Sequence, residues 1–213
     1  MSRDSTSEHW EGVHSTKDVD GVSWWQDADA VWADLVERTG AGPQAHVVDV
    51  GSGSSTLPDA LLARGFDDLT LVDLSPTALA RTRERLRAHV PDLDARLRTV
   101  VADVLELELH HRAQVWFDRA VFHFLTDPDD RAVYAATLRA GLAPGGCAVV
   151  ATFAPDGPEQ CSGLPVQRYD ADALVAALEA QAWERVLAER RVHRTPWGAQ
   201  QPFTVVVVRR PAR

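Results

Sequence analysis

From residue 45 onward, short apolar runs alternate with stretches of helical period. The runs 45–50, 69–74, 97–102, 115–122 and 147–153 have the length and the continuous apolar character of strands buried on both faces. Between them, 57–64, 76–89 and 127–142 read as helices. Ser75-Pro76 and Asp127-Pro128 each offer a capping side chain followed by a proline suited to the first turn. Pro91 and Pro144-Gly145-Gly146 stop the preceding helices. A helix over 170–181 and two strands over 186–192 and 204–209 complete the chain. The last two strands are linked by about ten residues containing proline and glycine, with no helix between them, so they pair antiparallel. The pattern predicts an α/β protein, a doubly wound, seven-stranded, mostly parallel sheet with the last strand pair antiparallel.

The first 44 residues stand outside this alternation and read as one or two helices carrying Trp10, Trp24, Trp25 and Trp32. So many tryptophans need apolar cover, so the segment packs on the domain, as a plain capping helix or as a lid over a ligand. The expected division is a cap at 1–44 and a ligand-binding domain at 45–213. Composition agrees with one globular domain: 45% hydrophobic and 25% charged residues in 213. A net charge of −9 argues against nucleic acid as the main partner. Arg81, Arg83, Arg85 and Arg87 spread around a helix and read as a solvated face. No apolar run approaches the ~20 residues that span a bilayer, and MSRDSTSEHW lacks a signal-peptide core, so a cytoplasmic protein without membrane contact is expected. Cys147 and Cys161 make neither a disulfide framework nor a zinc spacing, and no metal is expected.

Candidate chemistry sits at strand ends. Asp49-Val50-Gly51-Ser52-Gly53-Ser54-Ser55 follows the first strand and precedes a helix, where a doubly wound sheet binds ligands. Thr56 stands where a dinucleotide fingerprint needs its third glycine, which counts against NAD or FAD. Asp73 ends the second strand, placed to accept ribose hydroxyls. Asp103 ends the third and suits an adenine amine or a helix cap. The fourth strand carries polar groups in DRAVFHFL: Asp118, Arg119 and His123. Charges in an apolar strand need partners or a cleft. Asp118 suits nearby helix-start donors. His123 is either a satisfied core histidine or a general base, and Cys161 either a plain loop residue or a contact for a soft acceptor.

Together VVDVGSGSS, LVDLS, VVADV, FDRAVFHFL and LRAGLAPGGCAVV resemble the class I S-adenosylmethionine-dependent methyltransferases. The resemblance implies a Rossmann-like methyltransferase fold with S-adenosylmethionine as cofactor. It implies that Asp49, Gly51, Ser52 and Gly53 border the methionine part, that Asp73 and Leu74 meet the ribose, and that Asp103 and Val104 meet the adenine. The Asp118-Arg119 pair and the HWEGVH…SWWQ segment are further similar to the group of thiopurine S-methyltransferase and the tellurite-resistance methyltransferases. That likeness implies that Trp10 and Trp24 cover the cofactor, that Arg119 faces the acceptor and that the loop carrying Cys161 lines its pocket; Trp25 and His123 are further acceptor-side candidates, and Arg119 and His123 the catalytic ones. A small-molecule methyl acceptor is expected, sulfur or another soft atom preferred, in a monomer or homodimer. A protein-lysine methyltransferase and a non-catalytic cofactor-binding protein remain the alternatives.

Overall fold

The computed structural model describes residues 3–16, 21–25 and 30–212; the parts of the expected cap at 1–2, 17–20 and 26–29 lie outside the described residues. Helices α1 (Arg3–Thr16) and α2 (Ala30–Arg38) lead into β1 (Val47–Val50), α3 (Leu57–Ala63), β2 (Leu69–Asp73), α4 (Pro76–Arg87), α5 (Leu93–Arg96), β3 (Leu97–Val101), β4 (Ala113–Arg119), α6 (Pro128–Gly141) and β5 (Leu142–Phe153). A two-stranded hairpin, β6 (Gln160–Cys161) and β7 (Leu164–Pro165), precedes α7 (Ala171–Ala177), β8 (Glu184–Arg194) and β9 (Gln200–Arg209). The seven long strands form one sheet in the order β3-β2-β1-β4-β5-β9-β8. β1 to β5 pair parallel, and β9 runs antiparallel between β5 and β8. Strand order reverses between β1 and β4, which opens a crevice beyond their C-terminal ends.

Each face of the sheet is covered over its central strands. Val47, Val115 and Phe117 pack with Trp32 and Leu35 of α2, Leu61 of α3 and Leu79 of α4. Val48, Trp116 and Val150 pack on the other face with Tyr134 and Leu138 of α6 and Leu174 of α7. The caps form as their sequences direct: Ser75 Oγ accepts from Ala78 N at 3.1 Å, and Asp170 Oδ1 accepts from Ala173 N at 2.8 Å. α1 rests on α4. Its Glu11 carboxylate accepts from Ser75 Oγ at 2.5 Å and from the Thr77 hydroxyl, beside the N-terminus of α4, where a helix favours negative charge.

Boundaries depart from the expected ones at informative places. β5 begins at Leu142, five residues early, because the chain passes Gly145 at φ +77° without leaving the sheet. β8 and β9 are longer than expected, and the link shrinks to residues 195–199. β4 stops at Arg119 instead of running to 122; Ala120 adopts φ +69°, and Phe122–Phe124 form a 3₁₀ turn.

Asp118 sets that stop. It is fully buried on the α6 face, where its carboxylate accepts from Val121 N at 2.9 Å, from Phe122 N at 3.1 Å and from Tyr134 Oη at 2.5 Å. Tyr134 Oη in turn accepts from Trp116 Nε1 at 3.0 Å. Burial raises the Asp118 carboxyl to about 6, against the opposing pull of those donors. Its folded value lies above its ordinary 3.8, so the native state holds the proton more tightly. The group's contribution to stability is therefore fully present below pH 4 and is lost as pH rises through 6. Tyr134→Phe removes the hydroxyl donor and orphans the Trp116 N–H. It should cost about 2–3 kcal/mol at pH 8, where the carboxylate is charged, and less at pH 4. Denaturant unfolding of both proteins across that range measures the difference.

Candidate active site

A cavity of about 510 Å³ opens over the C-terminal ends of β1, β2, β3 and β4, within the range of small-molecule sites. Its floor is the loop after β1. Gly51 has φ +64°, and a Cβ there would lie 2.0 Å from Val121 Cγ2, so a side chain at this position is strained and must displace Val121. Gly53, at φ +52°, donates its N–H to Asp73 Oδ2 at 2.8 Å. Asp73 Oδ1 accepts from Ser75 N at 2.8 Å. Burial pushes the Asp73 carboxyl upward, while these amides and the neighbouring His14 pull it back.

The cofactor-side residues named from the sequence all meet in this cavity: Asp49, Gly51, Ser52, Gly53, Asp73, Leu74, Asp103 and Val104 line it, with Trp10 and Trp24. Asp103 also caps the short 3₁₀ turn after it, accepting from Leu105 N at 2.9 Å, so the cap and the cavity share one carboxylate. The buried Ser52 hydroxyl has no hydrogen-bond partner among the described residues. An orphaned hydroxyl and two left-handed glycines fit a polar ligand lying close against the backbone.

At the β4 side, Arg119 and Cys161 line the cavity with Trp32, Phe117, Leu164 and Pro165. Arg119 is held in place. Its Nη2 donates to Trp24 O at 2.9 Å and lies 3.4 Å from His193 Nδ1, and its guanidinium sits 4.8 Å from the Trp32 ring centre. The His193 Nε2 is 2.8 Å from Ser23 O, which ties residues 23–24 to β4 and β8 together. Burial pushes the Cys161 thiol up to about 11, against a smaller opposing pull from Arg119 and two serines. It is a neutral thiol at neutral pH.

Two acceptor-side expectations are corrected. His123 does not line the cavity. It falls in the 3₁₀ turn beyond the end of β4, fully buried between Phe124 and Phe153. Its Nδ1 accepts from Phe153 N at 3.4 Å, and burial pushes its pKa down to about 3. Its place is that of a core histidine. Trp25 is absent from the lining as well; its N donates to Val22 O in a turn, and the neighbouring Trp24 faces the cavity in its stead.

Sequence reasoning missed His14, a lining residue from α1. The signal was available, since it follows Trp10 by four residues and so shares its helix face. Elsewhere, at the opposite ends of the strands, His46, Asp68 and His111 bring possible metal-ligand atoms within 4.8 Å of one another, which no spacing in the sequence announced. Arg98 pairs with Asp68 there and reaches within 3.5 Å of His111 Nε2, so a positive charge already fills that place.

Residues 47–146 match the family described as methyltransferase domain. The carboxy-S-adenosyl-L-methionine synthase of Chromohalobacter salexigens is 34% identical over 128 residues, 59% of this chain. The match spans only 46% of that protein's length. A structure concerned with conversion of a disulfide bond into a thioacetal group during echinomycin biosynthesis superposes with TM-score 0.75, at 20% identity, over 98% of this chain and 93% of its own. The 1,6-didemethyltoxoflavin-N1-methyltransferase of Burkholderia thailandensis, solved with S-adenosylhomocysteine, superposes with TM-score 0.72, at 23% identity, over 97% and 88%. The N-methyltransferase NodS of Bradyrhizobium japonicum gives TM-score 0.70 at 15% identity, over 95% and 99%.

The loop geometry yields a direct expectation. Gly51→Ala should fold with reduced stability and lose cofactor binding at least a hundredfold by titration calorimetry. Asp73→Ala should lose roughly ten- to a hundredfold, because the carboxylate that orders Gly53 and Ser75 goes with it. Unchanged affinity in a folded Asp73→Ala protein would remove that residue from the site. A glycine-floored crevice at the sheet's switch point, three acids at successive strand ends and the methyltransferase-domain match over residues 47–146, a little under half of the chain, fall in the same part of the molecule.

Proposed function

We propose that this methyltransferase acts on a small, soft nucleophile that enters the cavity already ionised, a thiolate or a related chalcogen anion. One observation carries the reading: beside β4 the cavity is lined by a fixed guanidinium, Arg119, among apolar and aromatic side chains. Its walls there are Trp24, Trp32, Phe117, Phe124, Leu164 and Pro165, all apolar or aromatic. Cys161 holds its proton at neutral pH and His123 lies behind the wall. Asp127, which caps α6, and Asp130 in its first turn also line the cavity.

Bound S-adenosylmethionine supplies an electrophilic methyl group on a sulfonium. The chain supplies alignment and charge. Gly51, Ser52 and Gly53 admit the cofactor close to the backbone; Asp49 suits its ammonium, Asp73 and Leu74 its ribose, Asp103 and Val104 its adenine. Trp10 and Trp24, stacked edge to face at 5.9 Å, with Phe124 against Trp10 at 5.1 Å, exclude water as a lid. Arg119 stabilises the incoming anion. A thiol near its ordinary pKa of about 8.5 needs no further help to ionise, whereas an ammonium or an alcohol does. The Asp118-Arg119 pair and the tryptophan cover favour the thiopurine and tellurite group within the class I methyltransferases. The aromatic cover argues against a protein-lysine substrate, which needs an open groove. A nitrogen acceptor is the second reading, favoured by the N-methyltransferases of like fold; a neutral heteroaromatic nitrogen also needs no base.

S-adenosylhomocysteine release, screened over thiols, chalcogen anions, halides, amines and phenols, tests the proposal. Turnover with thiols or chalcogen anions is expected. Turnover confined to aliphatic amines would overturn it, and transfer to none would favour a non-catalytic binding protein. Arg119→Lys keeps the charge but loses the planar fork; turnover should fall roughly tenfold or more, a larger loss than in cofactor affinity, with the fold retained. His123→Ala should lower stability and leave the pH dependence of turnover unaltered.

A further inference from the structure

Three acids, Asp49, Asp73 and Asp103, line the cofactor side of the cavity. S-adenosylmethionine carries an ammonium, a ribose diol and an adenine amine that suit three acids. It also carries one carboxylate, which none of them can accept. The basic side chain on that side is His14. It comes from α1 and is only 6% exposed. Its ring lies directly over the glycine loop: a Cβ on Gly53 would meet its Cε1 at 3.2 Å and its Nε2 at 3.4 Å. No hydrogen bond reaches its ring nitrogens among the described residues, although a buried imidazole normally finds a partner. Neither neighbouring carboxylate bonds the ring. Asp73 is occupied by the Gly53 and Ser75 amides, and Glu11 by Ser75 and Thr77. The third charged neighbour, Arg81, donates to the His14 backbone oxygen.

We propose that His14 binds the carboxylate of S-adenosylmethionine, so that the cofactor itself fastens α1 over the cavity. The inference rests on the cofactor reading and adds to it the residue that distinguishes the whole cofactor from analogues lacking the carboxylate. It also gives α1 a reason to stay docked. Glu11 anchors the helix on α4 in the absence of ligand, and His14 adds a contact that exists only with the cofactor bound. Trp10, four residues earlier on the same face, is then held in its covering place.

Calorimetric titration of S-adenosylmethionine and of decarboxylated S-adenosylmethionine, which lacks only the carboxylate, separates the possibilities. The wild-type protein should prefer the intact cofactor by tenfold or more. His14→Ala should bring that preference to within about threefold while leaving decarboxylated cofactor affinity almost unchanged. His14→Gln, which keeps a side-chain donor and most of the volume, should restore part of the preference and covers the case of an unstable alanine variant. A preference unchanged in both variants overturns the proposal, and so does an equal loss for both ligands, which would mark His14 as a packing residue. Failure of the wild-type protein to bind either ligand would sink the cofactor reading itself, a separate outcome.

Discussion

One buried carboxylate governs the shape of the cavity. Asp118, at the end of β4, accepts from the backbone of Val121 and Phe122 and so turns the chain sharply at Ala120. A non-glycine residue at positive φ is strained and persists only where the surroundings impose it. Here Tyr134 and Trp116 hold the carboxylate from the α6 side, and Ala151 O accepts from Ala120 N on the other. The turn sets Val121 against Gly51 and aims Arg119 toward Trp32 and residues 23–24. Floor and acceptor wall are therefore positioned by one hydrogen-bond network. This also accounts for charges inside an apolar strand: alternation places Asp118 on one face, satisfied by its own turn, and Arg119 on the other, at the cavity.

The cavity divides by charge along the sheet. Acids cluster at the ends of β1, β2 and β3, where a cationic cofactor belongs, and a guanidinium sits at β4 with aromatic walls around it. The parallel order of the sheet creates this division, because each strand delivers its last residue to the same edge. The three strand-end acids and the guanidinium are thus delivered by separate strands.

The sheet was legible because its signals are local. Apolar runs buried on both faces, Ser75-Pro76 and Asp127-Pro128 as helix starts, and the paired glycines each act within a few residues of themselves. The strand order follows from the right-handed crossover rule once those runs are found. The choice between the two readings of His123 was not local, because the end of β4 is set from a distance: Tyr134, sixteen residues away, braces the carboxylate that ends the strand before His123. In a continued strand its ring would have stood with the cavity-facing residues; in the 3₁₀ turn it is buried between phenyl rings. His14 escaped for a different reason. Its importance depends on α1 docking against α4 through Glu11, a contact between residues more than sixty positions apart.

The central claim is that the acceptor brings its own negative charge. The pH dependence of kcat/KM, measured for a series of acceptors whose ionisation constants differ, tests it most directly. If the account holds, the rising limb moves with each acceptor's own pKa and levels off above it. A rising limb fixed at one pH for every acceptor would reveal a base belonging to the protein and contradict the account.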